Sequence, residues 1–343
     1  MSIQKTARPR AVARGLLELG RSFDYDHLTL VPRVASTLEH RSDAQPDVEF
    51  GPLRLSLPLI GSPMPDVCGM EMCRVLAREG AMGILHRFQS VESQRDAFTQ
   101  VQRDAGAAGG VGAAIGVTGD YQDRFHALYA AGCRVFCLDT ANGAHTQVER
   151  AMVWVRGAAA DVWLIAGNVA SAEAFTWLED RGADAIRVGI AGGSVCETKT
   201  ETGVYVPTPY AVAEAVSVRR RALIIGDSGV RTPADFCKLL ALGADGVMVG
   251  SALAGTSEAP GRIIVTDGKQ YKILRGAASF SVQQDVRKAD PEYVEGAESL
   301  VPYRGTVTHV LHRYLAGLRS SMSYMNARTL DEYREHASFM VLR

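Results

Sequence analysis

A chain of 343 residues with 47% hydrophobic content carries enough apolar material for one large core, and a barrel of ~250 residues with extensions fits that length. The formal net charge is -1, which excludes an overall field that would gather nucleic acid or anionic lipid. The six cysteines form no paired CxxC framework and have no histidines at metal spacing; neither a long apolar span nor a leader h-region occurs, so a reducing, cytoplasmic setting away from the membrane is expected.

Residues 1–50 read as an N-terminal arm, with a short helix over 11–19 and an ordered stretch from Phe23 through Pro32. Residues 51–260 repeat one unit: an apolar strand, a loop of small residues, an amphipathic helix and a glycine before the next strand. The strands fall at 57–60, 82–85, 111–115, 135–138, 162–166, 185–188, 223–225 and 247–249. Near-continuous apolar strands joined by helices predict a parallel sheet, and eight of them predict an α/β fold closed as a (β/α)8 TIM barrel. An open doubly wound sheet ranks below it, because no early strand leads into GxGxxG with a distant acidic ribose ligand. Cys133 and Cys137 flank an apolar run and read as core, and Arg219-Arg220-Arg221 reads as a solvated helix end. Residues 261–305 hold a hairpin over 262–274, turning at Thr266-Asp267-Gly268-Lys269, and a polar stretch, 279–300, read either as an active-site flap or as a plain surface excursion. Residues 306–343 return to helical periodicity and close a single catalytic domain.

The chemistry is expected at Gly189-Ile190-Ala191-Gly192-Gly193-Ser194-Val195-Cys196-Glu197-Thr198-Lys199, directly after the sixth strand. Reacting groups of a parallel barrel project from strand ends, and a thiol beside Lys199 and free amides would ionise below the ~8.5 of a free thiol. A glycine-rich connector with a buried cysteine is the plainer reading of this loop alone. The next two strand ends carry Gly226-Asp227-Ser228-Gly229 and Val249-Gly250-Ser251, each before a helix start. Backbone amides at such turns suit a phosphate, with Asp227 placed to accept from ribose hydroxyls, although tight turns alone would also use these glycines. Phosphate opposite a reactive thiol implies a nucleotide modified by covalent catalysis.

Cys196 in its glycine-serine loop, Asp139-Thr140-Ala141-Asn142-Gly143, Ala166-Gly167-Asn168-Val169, the two phosphate turns, Val301-Pro302-Tyr303-Arg304-Gly305 and Gly317-Leu318-Arg319-Ser320-Ser321 follow one another in an order that resembles the IMP dehydrogenase/GMP reductase family, from about Phe23 to the C-terminus. The resemblance implies a barrel enzyme, usually tetrameric, whose cysteine attacks C2 of a purine ribonucleotide. It assigns Cys196, Thr198 and Glu295 to catalysis. Ser194, Asp227, Ser228, Gly229, Gly250, Ser251, Ala277, Ala278, Ser279 and Met64 would hold the substrate. Asp139, Thr140, Asn142, Gly167 and Arg87 would face the nicotinamide cofactor, with Ser320 and Tyr324 reaching a neighbouring subunit's cofactor in a homotetramer. Carbonyls of Gly192, Gly193 and Cys196 would offer a monovalent cation site for K+.

The reductase branch is the closer likeness. Residues 87–108 leave no space for the regulatory insertion of dehydrogenases, no Arg-Tyr dipeptide occurs within 279–300, and Asn142 stands where dehydrogenases usually have histidine. NADPH-dependent reductive deamination at C2 of a guanine-type nucleotide, with loss of ammonia, is therefore expected. Departures cluster around base and cofactor: Cys196-Glu197-Thr198-Lys199 for Cys-Thr-Thr-Arg, Pro63-Met64-Pro65-Asp66 for Asn-Met-Asp-Thr, Arg87 for lysine, Glu292 for arginine and Ala277 for methionine. They point to a modified base such as a 7-deazaguanine nucleotide of nucleoside-antibiotic pathways, and Glu197 would set a negative charge beside the nucleophile. The rivals are ordinary GMP reduction, IMP dehydrogenase-like oxidation with NAD, an FMN-dependent barrel oxidoreductase, and a non-catalytic purine-nucleotide-binding paralogue.

Overall fold

A computed structural model describes residues 7–105, 110–287 and 294–342. Eight parallel strands close into a barrel in chain order: Leu59–Gly61, Met82–Leu85, Gly110–Ile115, Val135–Asp139, Trp163–Val169, Ala185–Val188, Leu223–Asp227 and Gly246–Val249, hereafter the first to eighth strands. They are the eight runs legible in the sequence, with ends moved by a few residues where backbone pairing stops short of an apolar run or extends past it. The helix-end glycines Gly80, Gly132, Gly182 and Gly243 all have positive φ, as a left-handed helix end requires.

Alternation along the strands sorts two cores. Residues facing outward pack under the helices, while Ile60, Met82, Ala114, Cys137, Ile165, Ile225 and Met248 fill the barrel interior. The hairpin of Val48–Phe50 and Leu53–Leu55 supplies Phe50 and Leu55 to that interior cluster. Because side chains repeat every second residue, Cys137, Ala185 and Ile225 are followed on the inward face by Asp139, Arg187 and Asp227. A charged layer thus lies at the C-terminal mouth, above an apolar plug.

Two expectations change. The N-terminal helix runs Ala7–Leu17, and Leu28–Leu30 of the arm pairs antiparallel with Phe339–Val341, so the C-terminal segment ends in a strand rather than in helix alone. The stretch 279–300 holds a helix, Phe280–Arg287, and Glu298–Pro302 adds a third strand to the hairpin of Ile264–Thr266 and Lys269–Arg275. Its apolar content is too short to signal a strand by itself; pairing along Lys269–Arg275 supplies the rest. Glu292 lies outside the described residues. Arg220 and Arg221 stand exposed just beyond helix Thr208–Val218, as expected of a solvated helix end, and both also engage the fully buried Glu179. Helix Val307–Tyr324 packs on Pro233–Leu242 and Met70–Arg78, which puts it in the eighth helical position. Among the described residues, no helix is long and apolar enough to cross a membrane.

Candidate active site

The loop after the sixth strand crosses the barrel mouth. Its first residue, Gly189, has φ +140, and a Cβ there would collide with the Asp227 carbonyl, so only glycine lets the loop leave the strand beside the seventh. The Cys196 thiol, half-buried, donates to Thr198 Oγ1 at 3.2 Å, and that hydroxyl donates to Glu295 Oε2 at 2.8 Å. Glu295 comes from a segment nearly a hundred positions away, and backbone pairing holds it there. The Glu197 amide donates to the Glu295 carbonyl at 2.8 Å, and the Ala297 amide donates to the Val195 carbonyl at 2.9 Å. On the other side, the Gly276 amide reaches the Ala297 carbonyl at 2.9 Å. A Cβ on Gly296 would stand 2.6 Å from the Ser279 amide nitrogen, so the close approach depends on glycine. Thiol, hydroxyl and carboxyl thus form a continuous path for one proton.

A second line of charge spans the mouth. Arg187, buried on the sixth strand, donates from Nη1 to Asp139 Oδ1 at 2.7 Å and from Nε to Asp227 Oδ2 at 2.9 Å. Arg87 Nε stands 3.4 Å from Asp139 Oδ2, and Asn168 Nδ2 donates to Asp227 Oδ2 at 2.7 Å. Burial pushes the Asp139 carboxyl upward, but Arg187 and Arg87 outweigh it and hold it below the usual carboxylate range. Charges of alternating sign thus run across the mouth.

These groups line a cavity of about 670 Å³. Met64, Ser194, Asp227, Ser228, Gly229, Gly250, Ser251, Ala277 and Ala278 line it, as do Arg87, Asp139, Thr140, Gly192 and Gly193. Five expected residues do not. Asn142 is exposed and accepts the Ala144 amide at 3.2 Å; Gly167 is buried behind Asn168, which takes its place at the wall; and Ser279 is fully buried beneath Ala278. Ser320 and Tyr324 lie on helix Val307–Tyr324, where Tyr324 is 60% exposed. The Lys199 Nζ lies 4.3 Å from the Tyr205 ring centroid. The Gly193 carbonyl accepts the Cys196 amide at 3.2 Å, which leaves a second lone pair on that oxygen. Among the described residues, no group of three or more His, Cys, Asp or Glu side chains is arranged to hold a metal ion.

The other cysteines are buried. Burial pushes Cys133 and Cys237 up to about 12 and Cys137 up to about 11. Sequence reasoning missed Arg187, Asn168 and Tyr25, whose hydroxyl donates to the Ser228 carbonyl at 2.8 Å. The signal for Arg187 was present as a cation inside the apolar run Ala185-Ile186-Arg187-Val188, a position that must be paired when buried. Tyr25 gave none, since its partner lies 203 positions away.

The IMP dehydrogenase / GMP reductase domain matches residues 22–342. The chain is 36% identical to a GMP reductase of Chromobacterium violaceum over 322 residues, which cover 93% of this chain and 98% of that protein. It is 40% identical to an inosine-5'-monophosphate dehydrogenase of Aquifex aeolicus over 243 residues, 67% of this chain but 49% of that protein. For an inosine-5'-monophosphate dehydrogenase of Nitrosopumilus maritimus the identity is 38%, covering 67% of this chain and 51% of the relative. The chain thus spans about half the length of the dehydrogenases it matches and nearly all of the reductase. With the barrel, the cysteine loop and the match in hand, the chain belongs to the IMP dehydrogenase/GMP reductase family.

Proposed function

We propose that this protein catalyses NADPH-dependent reductive deamination at C2 of a guanine-type purine nucleotide. The observation that carries the reading is the path from Cys196 through Thr198 to Glu295, at 3.2 and 2.8 Å, opening on one cavity with Asp227 and the turns at Gly229 and Gly250. Glu295, acting through Thr198, takes the thiol proton and leaves Cys196 free to bond to C2. The same proton then returns to the 2-amino group as the C2–N bond breaks and ammonia leaves. A reduced nicotinamide dinucleotide supplies the two electrons that replace sulfur by hydrogen at C2. Asp139 and Arg87 suit the cofactor side, because the carboxylate is kept ionised and can accept from hydroxyl or amide donors. Ser194, Gly229, Gly250 and Ser251 hold the phosphate in this reading, Asp227 the ribose, and Met64, Ala277 and Ala278 the base.

The reductase branch is favoured over the dehydrogenase branch by length: only five residues separate strand Met82–Leu85 from helix Val91–Ala105. Small side chains at Ala277 and Ala278, both at the cavity wall, support a base larger than guanine, such as a 7-deazaguanine carrying a substituent. A homotetramer in the cytoplasm, with Ser320 and Tyr324 facing a neighbour's cofactor and K+ at the carbonyls of Gly192, Gly193 and Cys196, completes the proposal. The test is a single-turnover incubation with NADPH and 2-aminopurine ribonucleotides, including GMP and 7-deaza analogues, reading ammonia and cofactor oxidation together. Stoichiometric ammonia and oxidised cofactor are expected from at least one nucleotide. Binding without either product would refute the reaction and leave a nucleotide-binding protein.

A further inference from the structure

Ala277 and Ala278 of the cavity wall and Glu295 of the proton path are not carried by the barrel. They adjoin strands Lys269–Arg275 and Glu298–Pro302, which with Ile264–Thr266 form a three-stranded sheet of their own beside it. Whatever sets this sheet against the barrel mouth also sets where the carboxyl meets Thr198. Asp66 makes that connection. It sits in the loop after the first strand, two residues past Met64 of the cavity wall, and is 6% exposed, so its charge must be paired. Its Oδ2 accepts the Arg275 amide at 2.9 Å and Nε at 2.8 Å, and its Oδ1 accepts Nη2 at 2.7 Å. One carboxylate thus holds both the main chain and the side chain of a residue 209 positions away.

The residue after Arg275 leaves little slack. A Cβ on Gly276 would stand 2.7 Å from the Val195 carbonyl oxygen and 3.0 Å from Gly296 Cα. The Gly276 amide donates to the Ala297 carbonyl at 2.9 Å, and the Glu295 amide donates to the Ala278 carbonyl at 3.3 Å. Two apolar side chains would join these surfaces as firmly, whereas a three-bond fork fixes direction as well as contact. Resting on the functional reading above, we infer that Asp66 and Arg275 are positioning residues for the proton path: their pairing sets the sheet at the height over the barrel mouth where the Glu295 carboxyl reaches Thr198. Both stand behind the residues that line the cavity, and the turns at Gly229 and Gly250 lie outside this line of contact.

The experiment compares wild type, Asp66→Asn, Arg275→Lys, Glu295→Gln and the double variant of Asp66→Asn with Glu295→Gln. Each is given NADPH with GMP or 7-deazaguanosine 5'-monophosphate for turnover, and each nucleotide alone for calorimetric binding. A reacting group misplaced by about 1 Å costs about 10²-fold in rate, so Asp66→Asn should lower kcat by about that factor. Nucleotide binding should stay near the wild-type level, because the phosphate and ribose contacts of the reading lie on barrel turns. Arg275→Lys keeps the charge but not the fork and should lose as much. In the Glu295→Gln background Asp66→Asn should add no further loss, because the group it positions is already gone. Wild-type kcat in Asp66→Asn, or full rescue by lysine at 275, would overturn the inference. So would a loss that persists undiminished beside Glu295→Gln or appears equally in binding, which would mean that the pair only holds the fold. Should Asp66→Asn fail to fold by circular dichroism, Arg275→Lys carries the same cycle. A wild-type protein that turns over neither nucleotide would overturn the functional reading and this inference with it.

Discussion

Replacing Arg187 by methionine removes the one cation that touches both Asp139 and Asp227, at 2.7 and 2.9 Å, among the described residues. Afterwards Asp139 keeps Arg87 at 3.4 Å, and Asp227 keeps the neutral Asn168 donor at 2.7 Å. Breaking a buried pair costs about 3–5 kcal/mol, because the abandoned charge stays out of water, and two carboxylates place Arg187→Met toward the upper end. The deficit has a pH signature. In wild type the folded Asp139 pKa is depressed, so its contribution is present above the unfolded value of about 3.9 and is lost as pH falls through the folded value. In the variant, a carboxyl stripped of its cation has a raised folded pKa, so its penalty is full at neutral pH and shrinks as the group protonates. Urea midpoints by circular dichroism at about pH 7.5 and about pH 4.5 should show a wide gap from wild type that narrows in acid. Adding Asp227→Asn to Arg187→Met should recover part of the loss, since the unpaired charge goes with it. A loss below about 1 kcal/mol near neutral pH, or a gap indifferent to pH, would show that the carboxylates do not depend on Arg187.

Thr198→Val keeps the shape of the side chain but cuts the path between Cys196 and Glu295; kcat should fall about 10²–10⁴-fold with the nucleotide KM nearly unchanged, as steady-state kinetics would show. His86, only 9% exposed and with no partner for Nδ1, is pushed down to about 4 by burial. Below pH 6.5 the unfolded chain takes up this proton and the folded chain does not, so stability should fall by up to about 3 kcal/mol between pH 6.5 and 4. His86→Gln should flatten that part of the urea-midpoint profile.

The barrel was legible because each strand carries its own apolar run and four of the helices end at a glycine; these signals are local. The cavity was legible where a lining residue sits in a local pattern, as Cys196 does in its glycine loop and Asp227 in its turn. What escaped depends on contacts distant in sequence. Glu298–Pro302 has little strand character until Lys269–Arg275 pairs with it, and Leu28–Leu30 needs Phe339–Val341. Asn142 and Gly167 illustrate the opposite failure: the motifs were placed correctly along the chain, yet their neighbours Thr140, Ala141 and Asn168 form the cavity wall. Motif order fixes which loop meets the cavity, whereas the backbone path decides which residue of the loop faces it.

Glu197 shows how an unusual residue can stand beside the Cys196 thiol without disturbing the hydrogen-bonded path to Glu295. The sequence raises the concern that its charge would oppose ionisation of the neighbouring thiol. In the structure Glu197 precedes the short helix Thr198–Thr202, and its side chain caps no backbone amide there. What the position contributes is its main-chain amide, which donates to the Glu295 carbonyl at 2.8 Å and sets the carboxyl opposite Thr198. Any residue other than proline supplies that amide. The contacts that position Glu295 are thus independent of the side chain at 197, and the substitution is free to bear on selectivity or ionisation while the path from thiol to carboxyl stays intact.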